Sequence, residues 1–199
     1  MCHRKGAIAK DDWHFLSCNM RGTGEVNRRH NAVVDALYHT ALTVGAQAAR
    51  EPIGLDLEDG RRPDLQIVFP GEHILTDVVV CHPLAPSYVD TAAAGGVNAI
   101  ARKKQQSKHI KYKETANTSR ARLLPYAVET CGGMGSDAMT LMQVISEAGQ
   151  EHLGLWPRDQ IVRHLLESVA TAVQRGNAMT VLAGYSRTVA RASGEMDRE

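Results

Sequence analysis

The chain of 199 residues lacks long apolar runs, a signal-like N-terminus and any large net charge. No stretch approaches the roughly 18 consecutive apolar residues of a membrane-spanning helix, so we expect no membrane partner. The first residues, Met1 to Arg4, turn polar at once, which predicts an intracellular protein that is not secreted. The glycines of segment 132–135 lack the lysine and serine of a phosphate-binding P-loop, which argues against nucleotide hydrolysis.

Cysteine is also scarce, with four in the whole chain. Without a secretory signal, a disulfide framework is not expected. Cys81 and Cys131 lie in apolar, strand-like runs, which predicts that both are small buried side chains. Cys2, His14 and Cys18 have instead the residue types and the order of ligands that suit tetrahedral zinc.

The formal net charge of +1 conceals a concentration of basic residues in one short segment. Its members are Arg102, Lys103, Lys104, Lys108, Lys111 and Lys113, followed by Arg120 and Arg122. Such a cluster favours contact with nucleic acid, because Lys and Arg side chains that neutralise phosphates release counterions. A solvated helix face is the alternative interpretation.

The apolar pattern predicts an α/β fold in which helices flank a mixed sheet. The predicted elements are a helix over 29–44, strands over 51–57, 64–69 and 74–81, a helix over 98–116, a strand over 123–131, a helix over 136–147, and two C-terminal helices, one opened by Pro157 and one over 178–192. We divide the chain into an N-terminal segment (1–28), a core (29–150) and a C-terminal helical extension (151–199).

Two aspartates belong to the hairpin predicted from the second and third strands. The expected register pairs Phe69 with Ile74 across a four-residue loop. Asp64 then lies opposite Val79, and Asp77 is its diagonal neighbour on the same face. Two converging carboxylates suit Mg²⁺ or Mn²⁺, which can activate a water and stabilise charge on a phosphate. Alternatively, one aspartate is a turn residue and the other a charge at a strand end.

A known motif resembles this arrangement. Pro63-Asp64, followed after about a dozen residues by an acid inside an apolar strand, resembles the PD-(D/E)XK motif of restriction-type nucleases. The predicted element order is similar to the αβββαβ core of that family. The chain departs from the pattern at Val79, where the family's lysine would stand. Lys104, Lys108 and Lys111, on one face of the following helix, offer an ammonium group that could reach the same site.

A narrower resemblance covers nearly the whole chain. The segments that carry it are Arg29-His30-Asn31, Arg62-Pro63-Asp64, Asp77-Val78-Val79, Lys108-His109-Ile110-Lys111-Tyr112, Val128-Glu129-Thr130-Cys131-Gly132-Gly133-Met134-Gly135 and Gly176-Asn177-Ala178. Together they resemble the restriction-like endonuclease domain of non-LTR retrotransposons, which nicks target DNA for insertion by target-primed reverse transcription. The resemblance implies DNA, element RNA and an upstream reverse transcriptase domain of the same polyprotein as partners, and a nuclear location in a eukaryote.

The same resemblance implies roles for individual residues. Asp64 and Asp77 would bind Mg²⁺ or Mn²⁺, and a lysine would assist catalysis. Lys108 is favoured over Lys111 for that role, because Lys111 adjoins Tyr112 and could instead contact phosphate. The residues expected to contact nucleic acid are Lys103, Lys104, Lys108, Lys111, Tyr112 and Arg62. Two other residues rank below the aspartates as candidates for the site. His82, at the exit of the strand that contains Asp77, is expected to be a satisfied polar residue more than a catalytic one. Glu129, in the strand after the lysine helix, could approach the metal but is expected to be solvent-exposed or paired.

The N-terminal segment is similar to part of a Cys-Cys-His-Cys zinc knuckle. His14-Phe15-Leu16-Ser17-Cys18 resembles the second half of such a knuckle. A complete first half would need a cysteine before Met1, so either the chain was cut there or the site has decayed, unless His3 or His30 substitutes. The alternative is a pair of reduced cysteines without zinc.

Two other functions stay open at this point. A non-catalytic nucleic-acid-binding module would keep the nuclease scaffold, with Val79 as the mark of lost activity. A structure-selective nuclease similar to Holliday-junction resolvases would share the core and act on branched DNA.

Overall fold

The computed structural model describes residues 14–17, 24–55, 62–154 and 156–192. These ranges contain the helices α1 (His14–Ser17), α2 (Glu25–Thr43), α3 (Val89–Gly95), α4 (Ala99–Thr118), α5 (Ser136–Leu153) and α6 (Arg158–Ala192). The strands are β1 (Gln47–Arg50), β2 (Leu65–Phe69), β3 (Glu72–Thr76), β4 (Val78–Cys81), β5 (Arg122–Leu123) and β6 (Tyr126–Glu129). A mixed sheet with flanking helices confirms the predicted α/β class. In these ranges, no helix has both the length and the apolar character needed to cross a membrane.

The β2–β3 hairpin has a tighter turn than the sequence pattern predicted. Phe69 pairs with Glu72, so the loop contains only Pro70 and Gly71. Gly71 has a φ of 82°, the left-handed conformation that the second central residue of such a turn requires. The predicted pairing of Phe69 with Ile74 is therefore wrong by two residues. Because side chains alternate across a strand, a shift of two leaves every residue on its predicted face.

The long strand predicted over 74–81 is divided at Asp77 into β3 and β4. The antiparallel ladder with β2 ends at the pair Leu65–Thr76, so Asp64 and Asp77 are the next residues on the two strands. On its other side the chain stays parallel to β5 and then to β6. The amides of Leu124 and Tyr126 donate to the carbonyls of Leu75 and Asp77, at 2.9 and 3.0 Å.

The main core lies between the hairpin and the helices α2, α5 and α6. Val33, Leu37, Ile67, Ile145 and Leu165 are fully buried in one continuous cluster. In β2 the alternate residues Leu65, Ile67 and Phe69 are buried. Alternation therefore directs Asp64, which precedes β2, to the opposite face.

The C-terminal region is a single helix, so the two helices predicted there are wrong in number. Its predicted apolar stripe is confirmed, because Ile161, Leu165, Val169 and Val173 are all buried in the main core. At Gly176 the helix packs directly on Arg29 of α2, and a Cβ added there would overlap the Cβ and Cγ of Arg29. The absence of a side chain at Gly176 thus allows α6 to lie close against α2.

Three further predictions are corrected. The first strand is Gln47–Arg50 rather than 51–57, and Glu51 follows it with a φ of 43°. Helix α2 begins at Glu25, four residues before its predicted start. Cys81 is buried as predicted, whereas Cys131 is exposed, because β6 ends at Glu129 and Cys131 lies in the turn that follows.

Candidate functional site

A polar pocket of about 320 Å³ opens where the hairpin meets α2 and α4. Its lining residues are His30, Glu51, Arg62, Asp64, Asp77, Val78, Lys108, Lys111 and Tyr112. Six of these nine were named from the sequence as site residues. The structure therefore brings together both aspartates, the two favoured lysines, Arg62 and Tyr112, and adds His30, Glu51 and Val78.

Asp64 is held at the pocket by the end of the β2–β3 ladder. Its Oδ2 accepts a hydrogen bond of 2.6 Å from the backbone amide of Val78. Its own carbonyl accepts from the amide of Glu51, at 2.9 Å. The carboxylate thus binds a backbone amide that lies just after the last backbone pair of the β2–β3 hairpin. About a fifth of the Asp64 side chain remains exposed.

Asp77 is a buried acid paired with lysines of α4. The residue is 3 % exposed. The Nζ of Lys108 lies 2.5 Å from its Oδ2, and the Nζ of Lys111 lies 4.0 Å from its Oδ1. A buried carboxylate is costly unless it is paired or coordinated, and Lys108 supplies the close pair here.

His30 is a pocket residue that the sequence does not predict for this site, since its pattern offers His30 only as a substitute zinc ligand. Its Nε2 lies 3.2 Å from both Asp64 Oδ2 and the carbonyl oxygen of Val78. Burial alone would lower the pKa of His30, but the hydrogen bond and charge of Asp64, with smaller contributions from Asn31 and the Val78 carbonyl, raise it above its ordinary value. The only signal in the sequence was its place in Arg29-His30-Asn31.

Tyr112 and Arg62 form the wall of the pocket next to Lys111. Tyr112 is fully buried, and its hydroxyl donates to the carbonyl of Arg62 at 2.9 Å. Lys111 contacts the same hydroxyl and lies over the Tyr112 ring, with its Nζ 4.2 Å from the centroid. The Arg62 guanidinium donates to the carbonyl of Glu51 at 3.2 Å. Tyr112 therefore fixes the backbone that precedes Asp64.

Lys103 and Lys104 lie outside the pocket. Their Nζ atoms lie 5.9 and 4.9 Å from the centroid of the Tyr88 ring. The sequence grouped these lysines with those of the pocket, and the structure separates the two pairs along α4.

Glu129 positions the helix that carries the lysines. It is 7 % exposed, and its Oε1 accepts hydrogen bonds from the amides of Ile100 (3.2 Å) and Ala101 (3.1 Å) in the first turn of α4. A carboxylate there offsets the positive end of the helix dipole as well as capping free amides. Glu129 is therefore paired and not solvent-exposed, and its partners are backbone amides.

A buried polar chain joins three of the segments that carried the narrower resemblance. Arg29, 2 % exposed, donates to the Oδ1 of Asn177 at 2.9 Å. Asn177 donates to the carbonyl of Thr130, also at 2.9 Å, and the Thr130 hydroxyl lies 2.7 Å from the Nδ1 of His82. Burial lowers the pKa of Arg29, against the opposing influence of Cys81. The chain connects α2, α6 and the ends of β4 and β6.

Asp64 and Asp77 are carboxylates of the pocket that could hold a magnesium-like ion. The Oδ2 of Asp64 and the carbonyl oxygen of Val78 both lie 3.2 Å from the Nε2 of His30, so the imidazole is held between them, and Asp77 lines the same pocket. Mg²⁺ is usually bound by one or two carboxylates together with waters and substrate phosphate. In the ranges that the structure describes, no three side chains of His, Cys, Asp or Glu group as a metal cluster.

Of the three predicted zinc ligands, the structure describes only His14. Cys2 and Cys18 lie outside the described residues. His14 is buried in the short helix α1.

A scan against protein-family models finds no match to the chain, and a search of curated proteins finds none either. The resemblance to restriction-like nucleases therefore stays a prediction from the sequence.

Proposed function

We propose that this chain is a divalent-metal-dependent DNA endonuclease of the PD-(D/E)XK type, which hydrolyses one phosphodiester bond of target DNA. The observation that carries the proposal is the meeting of Asp64, Asp77 and Lys108 at one pocket, with the lysine ammonium 2.5 Å from the buried carboxylate. Three such groups, from two strands and a helix, combine oxygen ligands for a metal with a cation for a phosphate.

The order of elements supports the same proposal. Helix α2, strands β1, β2 and β3, helix α4 and strand β6 follow the αβββαβ order of that family. Strand β4 continues from β3, the two-residue strand β5 precedes β6, and α3 is a short addition. In this arrangement the first acid precedes the second strand and the second acid follows the third.

The roles of the residues follow from their positions. Asp64 and Asp77 would hold Mg²⁺ or Mn²⁺, whose charge would polarise the phosphate and lower the pKa of an attacking water. Lys108 would stabilise negative charge that develops on the phosphate. It would thereby take the role of the family's motif lysine, whose position is occupied by Val79 in this chain. Arg62 and Lys111 border the pocket and are suited to hold flanking phosphates.

Biologically, the proposal is that the cut opens target DNA for insertion of a non-LTR retrotransposon. The nick would supply the priming end for a reverse transcriptase domain upstream in the same polyprotein, with element RNA as its template. In a eukaryote this reaction takes place in the nucleus.

A plasmid-nicking assay tests the proposal. Purified protein with Mg²⁺ or Mn²⁺ should convert supercoiled DNA to open circles, and Asp64→Asn or Asp77→Asn should slow this by at least about 100-fold, as expected for loss of a group that stabilises charge in the transition state. The matched control is Asp90→Asn, on the exposed helix α3, which should cleave normally. Both site variants should keep their affinity for DNA.

Two outcomes would replace the proposal. Wild-type protein that binds DNA but cuts no form of it with either metal would favour the non-catalytic module. Cleavage confined to four-way junctions would favour the structure-selective nuclease.

A further inference from the structure

The lysines of α4 continue from the pocket to an aromatic side chain. Lys104 precedes Lys108 by one helical turn, about 6 Å along the axis. The Nζ of Lys104 lies 4.9 Å from the centroid of the Tyr88 ring, and that of Lys103 lies 5.9 Å from it. The ring is partly exposed. We call Tyr88, Lys103 and Lys104 together the Tyr88 surface.

The Tyr88 surface lies at the far end of β4 from the pocket. Lys108 pairs with Asp77, the residue before β4. Cys81, the last residue of β4, pairs with Glu129, whose carboxylate accepts the amides of the first turn of α4, so Lys104 lies nearer to this end of β4 than Lys108 does. The two lysines therefore mark the two ends of the strand, and a DNA strand anchored in the pocket can reach the Tyr88 surface along α4.

The other groups at this end of α4 that could bind a phosphate already form hydrogen bonds within the protein. Glu129 accepts from the amides of Ile100 and Ala101, so these amides of the first turn are not free for a phosphate. Arg102 donates to the carbonyls of Gly95 (2.7 Å) and Val97. Lys103 and Lys104 form no ion pair with any residue that the structure describes, and both contact the Tyr88 ring. A phosphate at this place would bind the two ammonium groups.

We propose that the Tyr88 surface binds an unpaired nucleotide next to the cleavage site, with its base stacked on Tyr88 and its phosphate on Lys103 and Lys104. Aromatic rings beside cations are the usual means of binding single strands, because every base has a face that can stack. A base can reach such a ring only when it has left the duplex. This inference rests on the proposed function and defines the substrate as DNA with a melted or frayed flank.

Binding measurements without divalent metal test the inference, because they do not depend on cleavage. The probes are a labelled blunt duplex and the same duplex with a nick and a short unpaired flap. Tyr88→Ala should weaken binding of the flap DNA by about 5- to 150-fold, the range for loss of one stacked base, and change the blunt duplex little. Tyr88→Phe should bind like the wild type, because the ring is kept.

The matched control is Tyr185→Ala, since Tyr185 is a more exposed tyrosine on α6, away from the pocket. It should bind both DNAs normally. Lys104→Ala should lower the slope of log affinity against log salt for the flap DNA by about 0.7, the value for one lost contact to a single-strand phosphate, whereas Tyr88→Ala should leave the slope unchanged. Thermal unfolding of Tyr88→Ala checks that the variant is folded.

Several results would overturn the inference. Equal weakening of both DNAs by Tyr88→Ala, or the same loss in Tyr88→Phe or Tyr185→Ala, would do so. If substitution of Tyr88 leaves DNA binding unchanged while cleavage still depends on Asp77, the inference about the Tyr88 surface is wrong and the nuclease proposal stands. If binding of the flap DNA depends on Tyr88 but the protein cleaves no DNA, the nuclease proposal is wrong and the binding role of Tyr88 stands.

Discussion

The ammonium of Lys108 lies 2.5 Å from the carboxylate of Asp77, on a side chain that is 5 % exposed. Either group alone would destabilise the folded state, because a buried charge that loses its partner retains its desolvation penalty. The same pair is central to the proposed chemistry. Stability and activity can therefore be separated by changing the two residues singly and together.

Lys108→Met should lower the free energy of unfolding by about 3 kcal/mol, because the buried Asp77 loses its close partner and keeps only Lys111, 4.0 Å away. The double variant Asp77→Asn with Lys108→Met should recover most of this loss. Urea denaturation without divalent metal measures both. Lys113→Met, an exposed position on the same helix, is the control and should change stability by less than about 0.5 kcal/mol. An additive double variant would show that the two groups do not interact.

The contact of His30 with Asp64 should make stability depend on pH. The folded state raises the pKa of His30, so protonation of His30 favours folding. This contribution is complete below the ordinary imidazole pKa of about 6.5 and is lost as the pH rises through the higher folded-state pKa. His30→Gln should therefore destabilise the protein more at pH 5.5 than at pH 8.5, as judged by urea denaturation. In an Asp64→Asn background the difference between the two pH values should shrink, and a difference that persists there would contradict the assignment.

Gly176→Ala should destabilise the protein although alanine favours helices. In an exposed helix interior this change would gain about 1 kcal/mol. Here the added Cβ would overlap the stem of Arg29, which is held by Asn177. In an Arg29→Gly background, which removes both the Cβ and the Cγ that the new methyl group would meet, the same substitution should become neutral or stabilising. Thermal unfolding of the four proteins gives the sign in each background, and a stabilising effect in the wild type would refute the packing argument.

Glu129→Ala should loosen the start of α4 and lower both stability and cleavage. Loss of an acceptor for two buried amides costs about 1–3 kcal/mol. Cleavage should fall as well, because α4 carries Lys108. Glu129→Gln keeps an acceptor and should lie between the wild type and Glu129→Ala. The control is Glu72→Ala, which removes a largely exposed pair with Arg122 and should cost less than about 1 kcal/mol.

The sequence predicted the fold class and most of the pocket because both depend on local patterns. Alternation in the hairpin fixed which face carries Asp64 and Asp77, and the spacing of α4 put Lys108 and Lys111 on one side. The error in register came from turn geometry, since Pro70-Gly71 closes a two-residue loop that the strand pattern does not require. Side-chain face survived that error because the shift was even.

His30 and Glu129 show why the rest could not be predicted. His30 belongs to α2, and its contact with Asp64 spans 34 positions of the chain, so no spacing rule connects them. Glu129 caps a helix that begins 30 residues earlier, through amides that carry no sequence signal. Both contacts depend on how complete elements pack together.

The two-residue turn at Pro70-Gly71 limits how this protein can vary. Lengthening or shortening one strand by a single residue would rotate one of the two acids into the apolar interior and abolish the shared pocket, whereas a change of two would keep both at the surface of the hairpin. Functional variants that keep the two-residue turn, when selected from a library of insertions within β2 and β3, should therefore separate Asp64 and Asp77 by intervals that differ only by even numbers.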